Sequence, residues 1–207
     1  MNTFIDLNVV VLPDEKTKKQ ILSWSRVIAE RWKTNFVLDD ATYIPHLTLY
    51  QTRYPSKNIE QIKNVIRQFA LGIKPFKVAL SGISAFYGFL FYDAVKEKTL
   101  LENHSQLVDL LNPFREGHIT EEQQGMLESS EISDAMKEGI VLWGSPVSKD
   151  QFIPHITITR LTQMGEAENA LSFLKPIEMS FQVSKLYLSN VDHDGTSTKI
   201  LEEFPLG

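Results

Sequence analysis

Two copies of one pentapeptide, Pro45-His46-Leu47-Thr48-Leu49 and Pro154-His155-Ile156-Thr157-Ile158, hold the side chains of this chain best suited to moving protons. The chain has 5 His and 13 Thr in 207 residues. Chance then gives about 0.3 of even the bare His-x-Thr triplet, before the proline and the aliphatics are required. Imidazole titrates near neutral pH, so one ring can stay neutral as a base while its twin is protonated as an acid. A threonine hydroxyl beside each ring can donate a hydrogen bond to oxygens on which negative charge develops. A single His-x-Thr on a strand is more often a cross-strand polar pair than a site. Two matched copies point to one shared acid-base centre.

Each pentapeptide alternates polar and apolar residues, the period of a half-buried strand. That period puts His46, Thr48 and Tyr50 on one face, with Leu47 and Leu49 toward a core. In the second copy His155, Thr157 and Thr159 project one way and Ile156 and Ile158 the other. Phe4 to Leu12 reads as a strand ended by Pro13, with Ile5, Leu7, Val9 and Val11 on one face and Asp6, Asn8 and Val10 on the other. The spacing of Ile21, Trp24, Ile28 and Trp32 predicts a helix from Asp14, its N-cap, to about Trp32. Ser56 opens a second helix with the stripe Ile59, Ile62, Ile66 and Phe69; strands follow from Pro75 to Ile83 and from Phe89 to Val95. Leu100, Leu107 and Leu111 mark a third helix, and His104 lies among them as a packing residue.

The second half echoes the first. After the second motif come a short helix (Ala167, Ala170, Leu171, Leu174), one strand near Met179 to Asn190, a turn at Asp192-His193-Asp194-Gly195 and a last strand from Thr196 to Phe204. The motifs stand about half the chain apart, so the reading is one bilobal unit over residues 1–207, built of two βα lobes that each give one His-x-Thr strand to a common cleft. Asn112 to Ser148 breaks the symmetry. Its strongly apolar end, Ile140-Val141-Leu142-Trp143, predicts a lid or rim element rather than a linker.

Composition narrows the partners. The net charge of −5 lacks the overall basic field of a protein that grips long nucleic acid by its phosphates. The absence of cysteine removes thiol nucleophiles, disulfides and thiolate metal sites together. The start of the sequence carries no basic segment ahead of an apolar one, and no run approaches the length of a membrane span. The expectation is a cytoplasmic, monomeric protein with no membrane association and no obligatory protein partner. No Gly-x-x-x-x-Gly-Lys-Ser/Thr, Gly-x-Ser-x-Gly or His-Glu-x-x-His occurs, and Gly82 to Gly88 is too bulky to cradle phosphate.

With these residues in view, the chain resembles the two-histidine phosphoesterases, which include the bacterial LigT-type 2'-5' RNA ligases and RNA 2',3'-cyclic phosphodiesterases. The resemblance covers Tyr43 to Leu49, Phe152 to Arg160 and the order of elements along nearly the whole chain. It implies an α+β, bilobal fold with antiparallel sheets lining a central cleft, and phosphodiester chemistry without metal or cofactor. It further implies His46, Thr48, His155 and Thr157 as the catalytic quartet, with His46 as acid and His155 as base. The substrates so implied are 2',3'-cyclic or 2',5'-linked phosphodiesters of RNA ends or small nucleotides, with reversible ligation as a side activity. The segment from Asn112 to Ser148 is longer than in compact bacterial members.

Four further residues are candidates for holding substrate: Tyr50 for stacking on a base, Arg160 for reaching a phosphate, and Arg53 and Tyr87 at the rim. His193, in an Asp/Gly turn, and His118, in the polar insertion, read as solvated. The rival reading is a non-catalytic RNA- or nucleotide-binding module of the same fold. A pure binder needs no matched acid and base, and both motifs are intact.

Overall fold

A computed structural model describes residues 3–207; Met1 and Asn2, the first residues of the N-terminal segment read above, lie outside it. The strands are β1 (Phe4–Val11), β2 (Leu47–Pro55), β3 (Phe76–Phe86), β4 (Phe89–Ala94), β5 (His155–Arg160), β6 (Met179–Val183), β7 (Lys185–Val191) and β8 (Ser197–Pro205). The helices are α1 (Glu15–Ala29), α2 (Ile59–Gly72), α3 (Lys98–Leu111), α4 (Glu121–Glu128), α5 (Asp134–Trp143) and α6 (Ala167–Leu171). Among the described residues the strands form one antiparallel sheet in the order β6-β3-β4-β5-β2-β1-β7-β8. The two motif strands are its central pair.

The helices form where the apolar stripes predict. Asp14 caps α1, its Oδ1 accepting from the Thr17 amide at 2.8 Å. Ile21, Trp24 and Ile28 are buried on α1, which packs on β5 and β6. Ile62, Ile66 and Phe69 are buried on α2 against β7 and β8. Leu100, Leu107 and Leu111 bury α3 against β2, and α6 packs on β3 and β4. Each such aliphatic or aromatic side chain contributes roughly 1.5–3 kcal/mol when removed from water. Among the described residues, no helix is long and apolar enough to cross a membrane.

Two expectations are corrected. The run from Met179 to Asn190 is two strands, broken at Ser184: β6 pairs with β3 and β7 pairs with β1, at opposite ends of the sheet order. A period of two is the same whichever strand a segment pairs with, so the alternation does not reveal the crossover. The lobes are also not the two halves of the chain. One four-stranded half holds β1, β2, β7 and β8, the other β3 to β6.

The insertion folds as a helical cap beside the cleft. Thr120 and Gln123 form a reciprocal capping box on α4, and Ser133 caps α5. The apolar end of the insertion is the last turn of α5, where Ile140 is buried while Val141 and Leu142 are half exposed. Buried Arg115 locks that turn, donating from Nη2 to the carbonyls of Val141 and Leu142 at 2.9 and 3.2 Å and from Nη1 to that of His118 at 2.6 Å. A cation placed on the last carbonyls of a helix satisfies otherwise orphaned acceptors and matches the helix dipole.

Gly144 then ends α5 in the left-handed region, with φ of 64°. A Cβ there would lie 2.5 Å from both Arg115 Cδ and Thr52 Oγ1. Gly144→Ala is therefore expected to destabilise the protein by roughly 2–3 kcal/mol, through backbone strain and collision together. Urea midpoints measured for the wild type and the variant check this; an unchanged midpoint would mean that the cap is not seated as described.

Candidate active site

β2 and β5 pair antiparallel at Leu47 and Ile156, the residues that follow the two histidines. Continuing that register sets His46 opposite Thr157 and Thr48 opposite His155. The four polar side chains thus meet at the seam of the sheet, and all four line one cavity of about 1140 Å³. Ligand sites commonly measure roughly 300–1000 Å³, so this cleft has room for more than a mononucleotide.

The two rings are held alike. Nδ1 of His46 lies 2.7 Å from the Ile44 carbonyl oxygen, and Nδ1 of His155 lies 2.7 Å from that of Ile153. A carbonyl only accepts, so each Nδ1 carries the hydrogen and each Nε2 is the nitrogen left for chemistry. The shared Ile-Pro-His sequence explains the match. Proline fixes its own φ and holds the preceding isoleucine extended, which brings the carbonyl two residues back under the ring.

Both rings are also largely shielded from solvent. His46 is buried at 6% exposure, and half-buried His155 stacks on Phe91 with ring centres 3.8 Å apart. Burial pushes each imidazole down to about 4; at His46 the Ile44 carbonyl and Asp192 oppose the shift and His155 adds to it. Near pH 7 both rings are therefore neutral.

Both motif strands carry a bulge directly after the threonine. Leu49 has no partner in the ladder between Val9↔Tyr50 and Val10↔Thr48, and Ile158 has none between Leu90↔Thr159 and Phe91↔Thr157. Each bulge reverses which face the following residues use, so two expectations fail. Tyr50 borders the cavity but does not share the face of His46: it is 2% exposed and its hydroxyl donates to the Trp143 carbonyl at 2.7 Å, on the side of the insertion. Thr159 is buried, donating to the Phe36 carbonyl at 2.6 Å. Arg160 instead enters the cavity lining, stacked on Phe89 at 4.6 Å and donating from Nη1 to Asp194 at 2.7 Å.

Arg53 lines the cleft, with Nε 3.8 Å from Asp6. Tyr87 sits in the two-residue turn of the β3–β4 hairpin, partly exposed, its hydroxyl donating to the Glu131 carbonyl of the insertion at 3.1 Å. His118 is not free in solvent: its ring stacks on Phe4 with centres 4.0 Å apart. His193 is exposed, as read. Sequence reasoning missed Asn8, Asp192 and Phe91. The one signal for Asn8 was a lone amide inside an otherwise aliphatic stretch, Leu7 to Leu12. Among the described residues, Asp192, His193 and Asp194 bring ligand-type atoms together. Asp194 Oδ1 there already accepts from Arg160 and Asn35.

His104 packs in the interior, as expected. Its Nδ1 donates to the carbonyl of Leu49, the bulge residue, at 2.5 Å, and its Nε2 accepts from the Lys149 amide at 2.8 Å. It also stacks on Phe152 at 3.7 Å, tying β2 to the segment that leads into β5. Burial drives its pKa down to about 4. The native ring stays neutral while the unfolded chain takes up a proton below pH 6.5, so stability present above that pH is lost as pH falls toward 4. His104→Gln is expected to remove about 2–3 kcal/mol of that acid-driven loss. Urea unfolding of both proteins at pH 7, 5.5 and 4 measures it; an unaltered slope would sink the assignment.

A bilobal α+β cleft with one His-x-Thr strand from each lobe is the architecture of the two-histidine phosphoesterases. The family model of the 2'-5' RNA ligase superfamily matches residues 22–195, and the chain belongs to that superfamily. No curated protein matches its sequence. Its fold is similar to that of TT0787 of Thermus thermophilus (TM-score 0.63, 19% identity, 98% of each chain covered). It is likewise similar to E. coli LigT complexed with phosphate (TM-score 0.54, 15% identity, 98% of each chain) and with 3'-AMP (TM-score 0.56, 16% identity, 98% of each chain).

Proposed function

We propose that this protein is a phosphodiesterase that opens 2',3'-cyclic or 2',5'-linked phosphodiesters of RNA ends or small nucleotides, with 2'-5' ligation as the reverse reaction. The observation that carries the proposal is the matched pair of imidazoles, each fixed at Nδ1 by its own backbone and free at Nε2. That is the arrangement an in-line displacement needs: one ring takes a proton from water while the other gives one to the departing alkoxide. The crystal structures of E. coli LigT with phosphate and with 3'-AMP support phosphoryl and nucleotide ligands for a cleft of this fold.

On a 2',3'-cyclic phosphate, His155 takes a proton from water as its oxygen bonds to phosphorus. His46 donates its proton to O3' as the P–O3' bond breaks, leaving a 2'-phosphate. The roles then stand exchanged, as the reverse, ring-closing step requires; a 5'-hydroxyl attacking in place of water, with the same base and acid, gives 2'-5' ligation. Asp192 assists by favouring the proton on His46. Thr48 and Thr157 donate to the non-bridging oxygens, where charge accumulates. Arg160 binds the phosphate, and Arg53 and Tyr87 contribute to the rim.

His46→Ala and His155→Ala are each expected to lower turnover by roughly 10²–10⁴. The double variant should fall little further, because acid and base act as one unit. Assays on a panel of nucleoside 2',3'-cyclic phosphates and 2',5'-oligonucleotides, with excess EDTA present, test this. Near wild-type activity in either variant, or activity that requires an added divalent ion, refutes the mechanism. Phosphorus NMR of the product identifies which ester bond breaks.

The neutrality of both rings near pH 7 couples phosphate binding to proton uptake. An anionic phosphate restores the charge that burial disfavours and raises the pKa of the ring beside it. Binding a nucleoside 2'-monophosphate at pH 6 is therefore expected to take up about one proton. Calorimetry in buffers of different ionisation enthalpy reads that number; no uptake would contradict the assignment of neutral histidines.

A further inference from the structure

Asn8 lies in the middle of β1, 0% exposed, between Leu7 and Val9. Its Nδ2 donates to Thr48 Oγ1 at 2.8 Å and to Gln51 Oε1 at 3.2 Å. The bulge at Leu49 makes this possible: it puts Thr48 and Gln51, three residues apart, on the same face as Asn8. Asn8 Oδ1 is buried and has no partner among the described residues. An unpaired buried acceptor costs stability. A valine like its neighbours would serve the fold better, so the reason for the amide lies in what it does to Thr48.

We propose that Asn8 is a positioning residue that orients the Thr48 hydroxyl. A hydroxyl has one hydrogen and two lone pairs. With Nδ2 occupying a lone pair of Oγ1, the hydrogen cannot point at Asn8 and is held ready for a phosphoryl oxygen in the cleft. Gln51 fixes the amide by accepting its second hydrogen. Thr157 makes no side-chain hydrogen bond among the described residues, so the two motifs, matched in sequence, differ in preorganisation. The lobe carrying Thr48 grips the phosphate with an aligned donor; Thr157 must order its hydroxyl when substrate binds.

This inference rests on the phosphodiesterase reading, and its test separates the two. Wild type, Asn8→Val, Thr48→Val and the double variant are compared in turnover of a nucleoside 2',3'-cyclic phosphate, in affinity for inorganic phosphate, and in melting temperature. Asn8→Val is expected to lower kcat roughly tenfold to a hundredfold and to weaken phosphate binding, with a melting temperature equal to or above that of the wild type. In the Thr48→Val background the same change should leave kcat and phosphate affinity unaltered, since no hydroxyl remains to orient. Asn8→Leu, nearly the same shape but with no donor, should resemble Asn8→Val in activity. Independent effects of the two sites, or full activity in Asn8→Leu, overturn the proposal. If the wild type turns over none of the substrates, the phosphodiesterase reading fails, and the phosphate-affinity cycle still decides the role of Asn8. Absence of phosphate binding by the wild type overturns both.

Discussion

The pairing of Leu47 with Ile156 is the constraint from which the site follows. It joins the two four-stranded halves of the sheet, and it does so at the residues between each histidine and its threonine. Register has a period of two, so one pairing decides the face of every side chain on both motif strands until a bulge intervenes. The bulges come one residue after the threonines, leaving just enough regular strand to present a ring and a hydroxyl. Beyond them Tyr50 is buried at the cleft's border, and Arg160 projects into the cleft lining. His104 secures the arrangement from behind, filling the carbonyl that the first bulge leaves out of the ladder.

The walls of the cleft are less alike than its floor. Phe86, Phe89 and Phe91, from the β3–β4 hairpin and its flank, give one side an aromatic surface. Asp6, Gln51 and Arg53 give the other side a polar one. A phosphodiester, the proposed substrate, carries two alkoxy arms that are in general unlike. The near two-fold of the motifs suits the phosphorus, and the difference between the walls suits the two arms attached to it. The helical cap held by Arg115 and Gly144 closes a third side and accounts for the width of the cavity.

Much of this was legible in the residues alone. The duplicated motif located the quartet because Pro, His and Thr at that spacing are rare together, and the helical stripes of Ile21, Ile62 and Leu107 pointed inward as they read. What failed to read were departures from periodicity. Alternation assigned Tyr50 to the face of His46, and an extra residue in the ladder, which has no composition of its own, reversed it. The break at Ser184 was hidden for the same reason: β6 and β7 are both extended and apolar on one side, and only pairing partners tell them apart. Asn8 was visible as an anomaly in an aliphatic strand, but its partner lies 40 residues away.

The division of the sheet bears on how the molecule is made. The half that contains His46 begins with β1 and is completed only by β7 and β8, whose last residue is Pro205. The other half, β3 to β6, is contiguous along the chain but for the insertion and α6. On a ribosome, the half bearing His155 has all its strands before the half bearing His46 does. Until β7 emerges, the free edge of β1 has no partner strand. The two motifs, about half the chain apart, meet only through the long-range pairing of β2 with β5, a kind of contact that is slow to form.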